Sequence, residues 1–362
     1  MRDILDGLIA WRARGEPFAL ATVIKTLNSA PRPPGATMAV SASGEVLGSI
    51  SGGCVEGETY ELALQVIQSG YAQRARFGVT DDDAFAAGLT CGGIIDVFVE
   101  PVNDEQYPTF DKIIDAIKGH RPTVIATVTS GTAAGQHLTM DETGLVASTA
   151  ELGSDDSLLH RMADMLSESA TDMVHSGLAT GPMTSASVFL QSFAPPPRMI
   201  VFGAVDFAAA VADIGKFLGY RVTVCDARPV FTTRARFPNV DELVVDWPHR
   251  YLSKETVEES TVLCVLTHDP KFDIPLLKVA LETPARYIGV MGSRRTHANR
   301  LNSLREEGVP EWQLERLSSP IGLDLGARTS EETAVSIAGE IIAAARGATG
   351  VPLRERQGAI HQ

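Results

Sequence analysis

From Met199 onward, short β-branched runs alternate with apolar residues at helical spacing, and this alternation restricts the fold more than any other feature of the chain. "MIVFGA" leads into "DFAAAVADIGKFLGY". Then come "RVTVCDARP", "DELVVD", "STVLCVLTHD", a helical pattern around "DIPLLKVALE", and "RYIGVMGS" running into "RRTHANRLNSLREEG". Repeated strand and helix predict β-α-β crossovers, and so a parallel sheet with helices on both faces. The closing "SPIGLDLGARTSEETAVSIAGEIIAA" predicts a terminal helix capped at Thr329 or Ser330. Its Ala334, Ile337, Ala338 and Ile341 fall on one face, which assigns that helix to the core.

Upstream the pattern is different. "APPPR" at 194–198 is a stiff, non-helical connector, and it predicts a boundary between an N-terminal domain over 1–193 and a Rossmann-like domain over 198–346. The N-terminal part opens with an amphipathic helix and continues with "PFALATVIKTL" as a strand and two strands turning at Ser43-Gly44. A helix on Tyr60, Ala63, Leu64 and Ile67 ends at Ser69-Gly70. "QRARFGV", "GIIDVFVEP", "PTVIATVTSG" and "MTSASVFLQSF" read as further strands, with "ELGSDDSLLHRMADMLSES" as a surface helix. The fold class is therefore α/β, a mixed α+β domain followed by a Rossmann-like parallel-sheet domain. No repeat of 20 to 50 residues appears.

Charge and cysteine usage narrow the function classes. With 362 residues there is material for two cores. The formal charge of -14 opposes nucleic acid and anionic membrane surfaces. No apolar run approaches the roughly 18 residues of a membrane span, and the opening mixes both signs of charge, so a cytoplasmic protein is expected. The four cysteines, at 54, 91, 225 and 264, form no C-x-x-C pair and are expected as reduced thiols.

Cys225 and Cys264 lie in β-branched runs and read as core. Cys54 in "SGGCVEG" and Cys91 in "GLTCGGIID" lie instead in glycine-rich loops, where backbone can closely approach a ligand. A thiol at a helix start meets the positive end of the macrodipole, which favours the thiolate. Such a sulfur can receive a persulfide or ligate a thiophilic metal, and the amides of Gly52 and Gly53 are expected to stay open to ligand oxygens. Glu56 reads either as a proton shuttle or as a first-turn carboxylate. His137 and His160, in polar surroundings, are expected at the surface, and "TDDDAF" at 80–85 as a solvated loop.

In the second half, "VFGAVDFAAA" has the layout of a dinucleotide turn, with Gly203 in the turn and Asp226 at the end of the next strand. Val205 stands where a second glycine belongs, and Ala208 or Ala209 where the third does, which weakens NAD binding. "GVMGSRRTHANR" offers another anion site: Gly292 and Ser293 end a strand, and Arg294 and Arg295 open a helix. His268 follows a strand at the carboxyl edge of the sheet, where open α/β folds bind ligands.

Taken together, "GSISGGCVEGE", "GLTCGGIIDVFVEP", "MIVFGAVDFAAA", "VCDARP", "THDPKFD", "YIGVMGSRRTHANR" and "SPIGLDLGA" resemble the XdhC/CoxI family, accessory factors of molybdenum hydroxylases such as xanthine dehydrogenase and carbon monoxide dehydrogenase. The resemblance spans nearly the whole chain. It implies a protein that binds the molybdenum cofactor, supports its sulfuration with a cysteine desulfurase and inserts it into the hydroxylase, acting as a homodimer. Cys54 and Cys91 match the family's reactive cysteines. Gly52, Gly53, Glu56, Gly92 and Gly93 match its cysteine loops, with Cys54 as a molybdenum contact. Gly203, Asp226, His268, Gly292, Ser293, Arg294 and Arg295 match its second half. The family usually has a Gly-x-Gly-His turn where this chain has Gly203-Ala-Val-Asp206. Two other classes stay open: an NAD(P)-dependent oxidoreductase, and an assembly protein that binds the hydroxylase without holding cofactor.

Overall fold

The structure, a computed structural model, describes residues 1–27, 30–78, 93–148, 155–167, 170–176 and 186–356. The chain divides into two compact units, Met1–Pro195 and Pro196–Gln357.

The first unit contains two five-stranded antiparallel sheets. The first sheet is built from β1 (Phe18–Leu27), β2 (Thr37–Ser41), β3 (Val46–Gly48), β4 (Gln73–Phe77) and β5 (Ile94–Val102), in the order β3-β2-β1-β5-β4. β6 (Thr123–Val128), β7 (His137–Asp141), β8 (Gly144–Ser148), β9 (Thr171–Ser176) and β10 (Ala186–Phe193) form the second, in the order β8-β7-β6-β10-β9. Three strands, a helix and two strands thus occur twice with the same topology. The intervening helices are α2 (Glu56–Ser69) and α4 (Asp156–Asp164), while α1 (Leu5–Ala13) precedes β1 and α3 (Phe110–Lys118) joins the sheets.

β1 reads as a continuous apolar run because both of its faces are covered. Ala19, Ala21 and Val23 pack with Ala63 and Val66 of α2, whereas Phe18 and Leu20 pack with Leu8 and Trp11 of α1 and with Phe110 and Ile113 of α3. The two sheets are linked by apolar and polar contacts. Ile24 and Phe98 cluster with Phe189, and Gln191 Nε2 donates to the Gly35 carbonyl at 3.1 Å. His137 of β7 lies 2.7 Å from Glu100 of β5 and stacks on Tyr107 at 3.6 Å. His137 is 1% exposed, so the surface position expected from its polar neighbours in sequence is wrong. Its carboxylate and aromatic partners come from distant segments. His160 is exposed, as expected.

The second unit is a six-stranded, wholly parallel sheet in the order β13-β12-β11-β14-β15-β16. Its strands are β11 (Arg198–Phe202), β12 (Arg221–Cys225), β13 (Glu242–Val244), β14 (Val262–Val265), β15 (Tyr287–Val290) and β16 (Leu317–Ser318). On one face, α5 (Asp206–Phe217) packs through Ala208, Val211 and Ala212 against Ala334, Ile337 and Ile341 of α10 (Ser330–Arg346). On the other lie α6 (Pro248–Leu252), α7 (Pro270–Glu282), α8 (Arg294–Glu306) and α9 (Glu311–Leu314). Thr329 caps α10 in a reciprocal capping box with Glu332. Cys225 and Cys264 are fully buried, and burial pushes both thiols up to about 12.

Candidate functional site

The glycine-cysteine loop runs from β3 into α2. Gly52 and Gly53 hold φ of 79° and 116°, a region that favours glycine, and a Cβ on either would meet nothing within 4 Å. The face above the glycine pair is therefore open. Cys54 lies beside them, half-buried, packed against the cluster that contains Val23, Phe77 and Ile95. It precedes the first helical residue by two positions, so it sits just ahead of the first turn.

Glu56 organises this loop. Its carboxylate accepts the amides of Ser51 (2.9 Å), Gly52 (2.9 Å), Gly53 (2.8 Å), Val55 (3.2 Å) and Ile50 (3.3 Å). The hydroxyl of Ser49 donates to it at 2.6 Å, and that of Ser51 donates as well. Ser51 Oγ in turn accepts the amides of Cys54 (3.0 Å) and Val55 (3.1 Å). The expectation that the Gly52 and Gly53 amides stay open to a ligand is thus overturned. An internal carboxylate already occupies the concavity, because a glutamate at the first helical position can fold back over the turn before it. The same carboxylate answers the positive end of α2, as the first-turn alternative for Glu56 expects. Burial by itself raises the Glu56 carboxyl, but the hydroxyls of Ser49 and Ser51 and the Ser51 amide outweigh it and hold the group at about 2. Glu56 is therefore ionised at neutral pH and acts as a clamp; the proton-shuttle alternative is set aside.

Cys91, Gly92 and the acidic run at 80–85 lie outside the described residues. The ends of that segment meet: a Cβ on Gly78 would come within 2.6 Å of the Gly93 carbonyl. Gly93 is buried and enters β5, whose Ile95 belongs to the cluster that Cys54 packs on.

In the second unit, the carboxyl ends of neighbouring strands bring Gly203 (β11), Asp226 (β12), His268 (β14) and Gly292 to Arg295 (β15) to one edge of the sheet. At the first turn, Gly203 has φ of 102° and packs so tightly that a Cβ would lie 2.8 Å from Thr267 Cγ2. Asp226 is buried and its oxygens are engaged. Oδ1 accepts the amide (2.8 Å) and Nε (2.9 Å) of Arg228, and Oδ2 accepts the Ala204 amide and Arg228 Nη2 (both 2.7 Å). Burial raises this carboxyl, and the Arg228 guanidinium with the two amides brings it below its usual range. Asp206 projects an exposed carboxylate at the start of α5, paired at 3.2 Å with Arg236. An anion approaching this turn meets Val205 and a carboxylate already paired with Arg236, which also donates to the Ala204 carbonyl at 3.2 Å.

The β15–α8 turn is different. Ser293 caps α8 by accepting the Thr296 amide at 3.1 Å, no acid occupies the first turn, and Arg294 and Arg295 are exposed. His268 is exposed at the end of β14, next to Asp269, which caps α7 by accepting the Lys271 amide. Sequence reasoning missed Arg300 of α8, which is buried and donates to Asp273 Oδ2 at 2.8 Å and to the Met291 carbonyl at 3.1 Å. An arginine inside an exposed-looking helix gave no pattern by which to find it.

The XdhC Rossmann domain pattern matches residues 199–341, and the XdhC and CoxI family pattern matches residues 11–78. The chain belongs to the XdhC/CoxI family. It is 29% identical over 334 residues to a Bacillus subtilis protein, named as a probable subunit of xanthine dehydrogenase, spanning 90% of this chain and 93% of that protein. It is 23% identical over 340 residues to the molybdenum cofactor insertion chaperone PaoD of Escherichia coli, spanning 94% and 87%. The crystal structure of a Bacillus halodurans protein described as a xanthine dehydrogenase shares the fold, with a TM-score of 0.74 and 24% identity over 95% of this chain and 96% of that one. Among the described residues of this family member, no helix is long and apolar enough to cross a membrane, and no three His, Cys, Asp or Glu side chains converge to hold a metal ion.

Proposed function

We propose that this XdhC/CoxI protein is an accessory factor that carries the molybdenum cofactor as cargo for a molybdenum hydroxylase of the xanthine dehydrogenase type. One observation carries the reading: a half-buried thiol is presented on a glycine pair with open space above it, on a loop held rigid by a single ionised carboxylate. A soft sulfur suits a thiophilic centre, and a clamped loop holds it in place without ligand. The names of the two relatives, one a cofactor insertion chaperone and the other a probable part of xanthine dehydrogenase, support the same role.

Cys54 contacts the cargo in this reading, Gly52 and Gly53 allow its close approach, and Glu56 positions the thiol. Cys91, with Gly92 and Gly93, is the companion thiol. His268 and Gly292 to Arg295 hold the cofactor's organic part at the edge of the parallel sheet, while Gly203 and Asp226, matched to the family in sequence, shape the neighbouring turn. A cysteine desulfurase supplies the sulfur for sulfuration, and the protein works as a homodimer in the cytoplasm.

The test is to purify the protein anaerobically from a host that makes molybdenum cofactor and to measure bound molybdenum and the pterin's fluorescent oxidation product. Near-stoichiometric cofactor is expected in the wild type and its loss in Cys54→Ala. Cys54→Ala and Cys91→Ala should each leave the partner hydroxylase inactive in cells. An empty wild type, or equal loading in Cys54→Ala, refutes the assignment.

A further inference from the structure

Two glycine turns lie at the same edge of the parallel sheet, and they differ in their charged side chains and in what lies beneath them. At the β11–α5 turn, Asp206 places a carboxylate at the helix start, and Asp226 is saturated by Arg228 and the Ala204 amide. At the β15–α8 turn, Gly292 has φ of 150°, and two exposed guanidiniums with no acidic partner among the described residues open α8. Arg300 lies underneath with its side chain 3% exposed. Its Nη2 is held by Asp273 and the Met291 carbonyl, whereas Nη1 is buried with no hydrogen-bond partner and lies 3.6 Å from where a Gly292 Cβ would stand. A buried guanidinium N–H without an acceptor is destabilising, so a fold that keeps one here calls for an acceptor at the turn.

We propose that the Gly292–Arg295 turn, backed by Arg300, is a phosphate site of this protein and that the Gly203 turn is not. The amides at the start of α8 face an anion, the helix dipole favours it, and Arg294 and Arg295 add fork donors above while Arg300 supplies one from below. His297, in the first turn of α8, is held below the usual histidine range by burial, with the charges of Arg300 and Arg305 adding to it. One strand, β14, separates this turn from Gly203, a lateral distance of about 10 Å. A ligand with its phosphate at Gly292 therefore lies across the end of β14, beside His268. The site goes beyond the cofactor-carrying reading, because any phosphate ester or diphosphate fits it, whether from a pterin or from a nucleotide.

Calorimetric titration of the full chain with inorganic pyrophosphate at low salt tests the site without any molybdenum cofactor, so its failure would leave the thiol assignment standing. The wild type should bind, and Arg294→Gln/Arg295→Gln, changed at two exposed positions, should bind at least about tenfold more weakly. Arg300→Lys keeps a cation beside Asp273 but removes Nη1, and should bind several-fold more weakly. Asp206→Asn and Arg236→Gln, at the other turn, should bind as the wild type does. No binding by the wild type, unchanged binding in the double variant or in Arg300→Lys, or loss of binding in Arg236→Gln overturns the proposal. The source of the phosphate follows from two further arms. NADP+ affinity lost in the double variant identifies a nucleotide, and loss of co-purified pterin identifies the cofactor.

Discussion

Replacing Glu56 by glutamine removes the charge around which the glycine-cysteine loop is built. The carboxylate accepts the amides of Ile50, Ser51, Gly52, Gly53 and Val55 and the hydroxyls of Ser49 and Ser51. Gly52 and Gly53 are exposed and can turn to water when the acceptor weakens, and Val55 keeps Ser51 Oγ. Ser51 is only 2% exposed and Ile50 fully buried, so their amides have no such recourse. One buried amide left unpaired costs about 1–3 kcal/mol, so a loss of about 2 kcal/mol, roughly 30-fold in the opening equilibrium, is expected. The acidity of the group supports the same magnitude. A carboxyl lowered from 4.5 to about 2 corresponds to about 3 kcal/mol, which solvent screening at a half-exposed site reduces to about 1–2 kcal/mol. Because the folded value is depressed, this stabilisation is complete above the unfolded value near 4.5 and is lost as the pH falls toward 2. Hydrogen exchange of amides 50–55, followed by mass spectrometry at neutral pH, should accelerate about 30-fold in Glu56→Gln. The difference in urea stability between the two proteins should shrink on acidification over that window. Unchanged exchange, or a difference that persists at low pH, would refute the clamp.

Two further outcomes follow from buried groups. Asp273→Asn leaves Arg300 charged and unpaired in the interior, which should cost the Pro196–Gln357 unit about 3–5 kcal/mol, read as a lowered unfolding transition; a change below about 1 kcal/mol would contradict the buried pair. With their thiols pushed up to about 12, Cys225 and Cys264 should have roughly one thiolate in 10,000 at pH 8, so native-state alkylation followed by peptide mapping should leave both unmodified. Modification of either before unfolding would refute their burial.

Much of the parallel-sheet unit is legible along the chain, because each strand and helix announces itself within a few residues and βαβ connection has one favoured hand. The α10 cap at Thr329 and its buried face of Ala334, Ile337, Ala338 and Ile341 are local patterns of this kind. In the other unit, the β-hairpin at Ser43-Gly44 and the end of α2 at Gly70 are legible for the same reason. The duplicated sheet topology is not, since its copies start as far apart as Phe18 and Thr123 and share pairing order but no repeated motif. Helix α3, which joins the copies, does carry a helical period in Phe110, Ile113, Ile114 and Ile117, whereas strands β7 to β9 lie in short polar or mixed segments without one.

At the sites the division is similar. Residue types and spacing determined which loops carry the thiol, the glycine pair and the arginines, because those are properties of short contiguous stretches. Tertiary structure decided what those groups face. Glu56 occupies the amides meant for a ligand, Asp226 is saturated by Arg228, His137 is buried against Glu100 and Tyr107, and Arg300 lies under Gly292. Each of those outcomes depends on which side chains reach an atom in three dimensions, and hydrogen-bond and charge energies depend on that distance and on burial, neither of which is written in the order of residues.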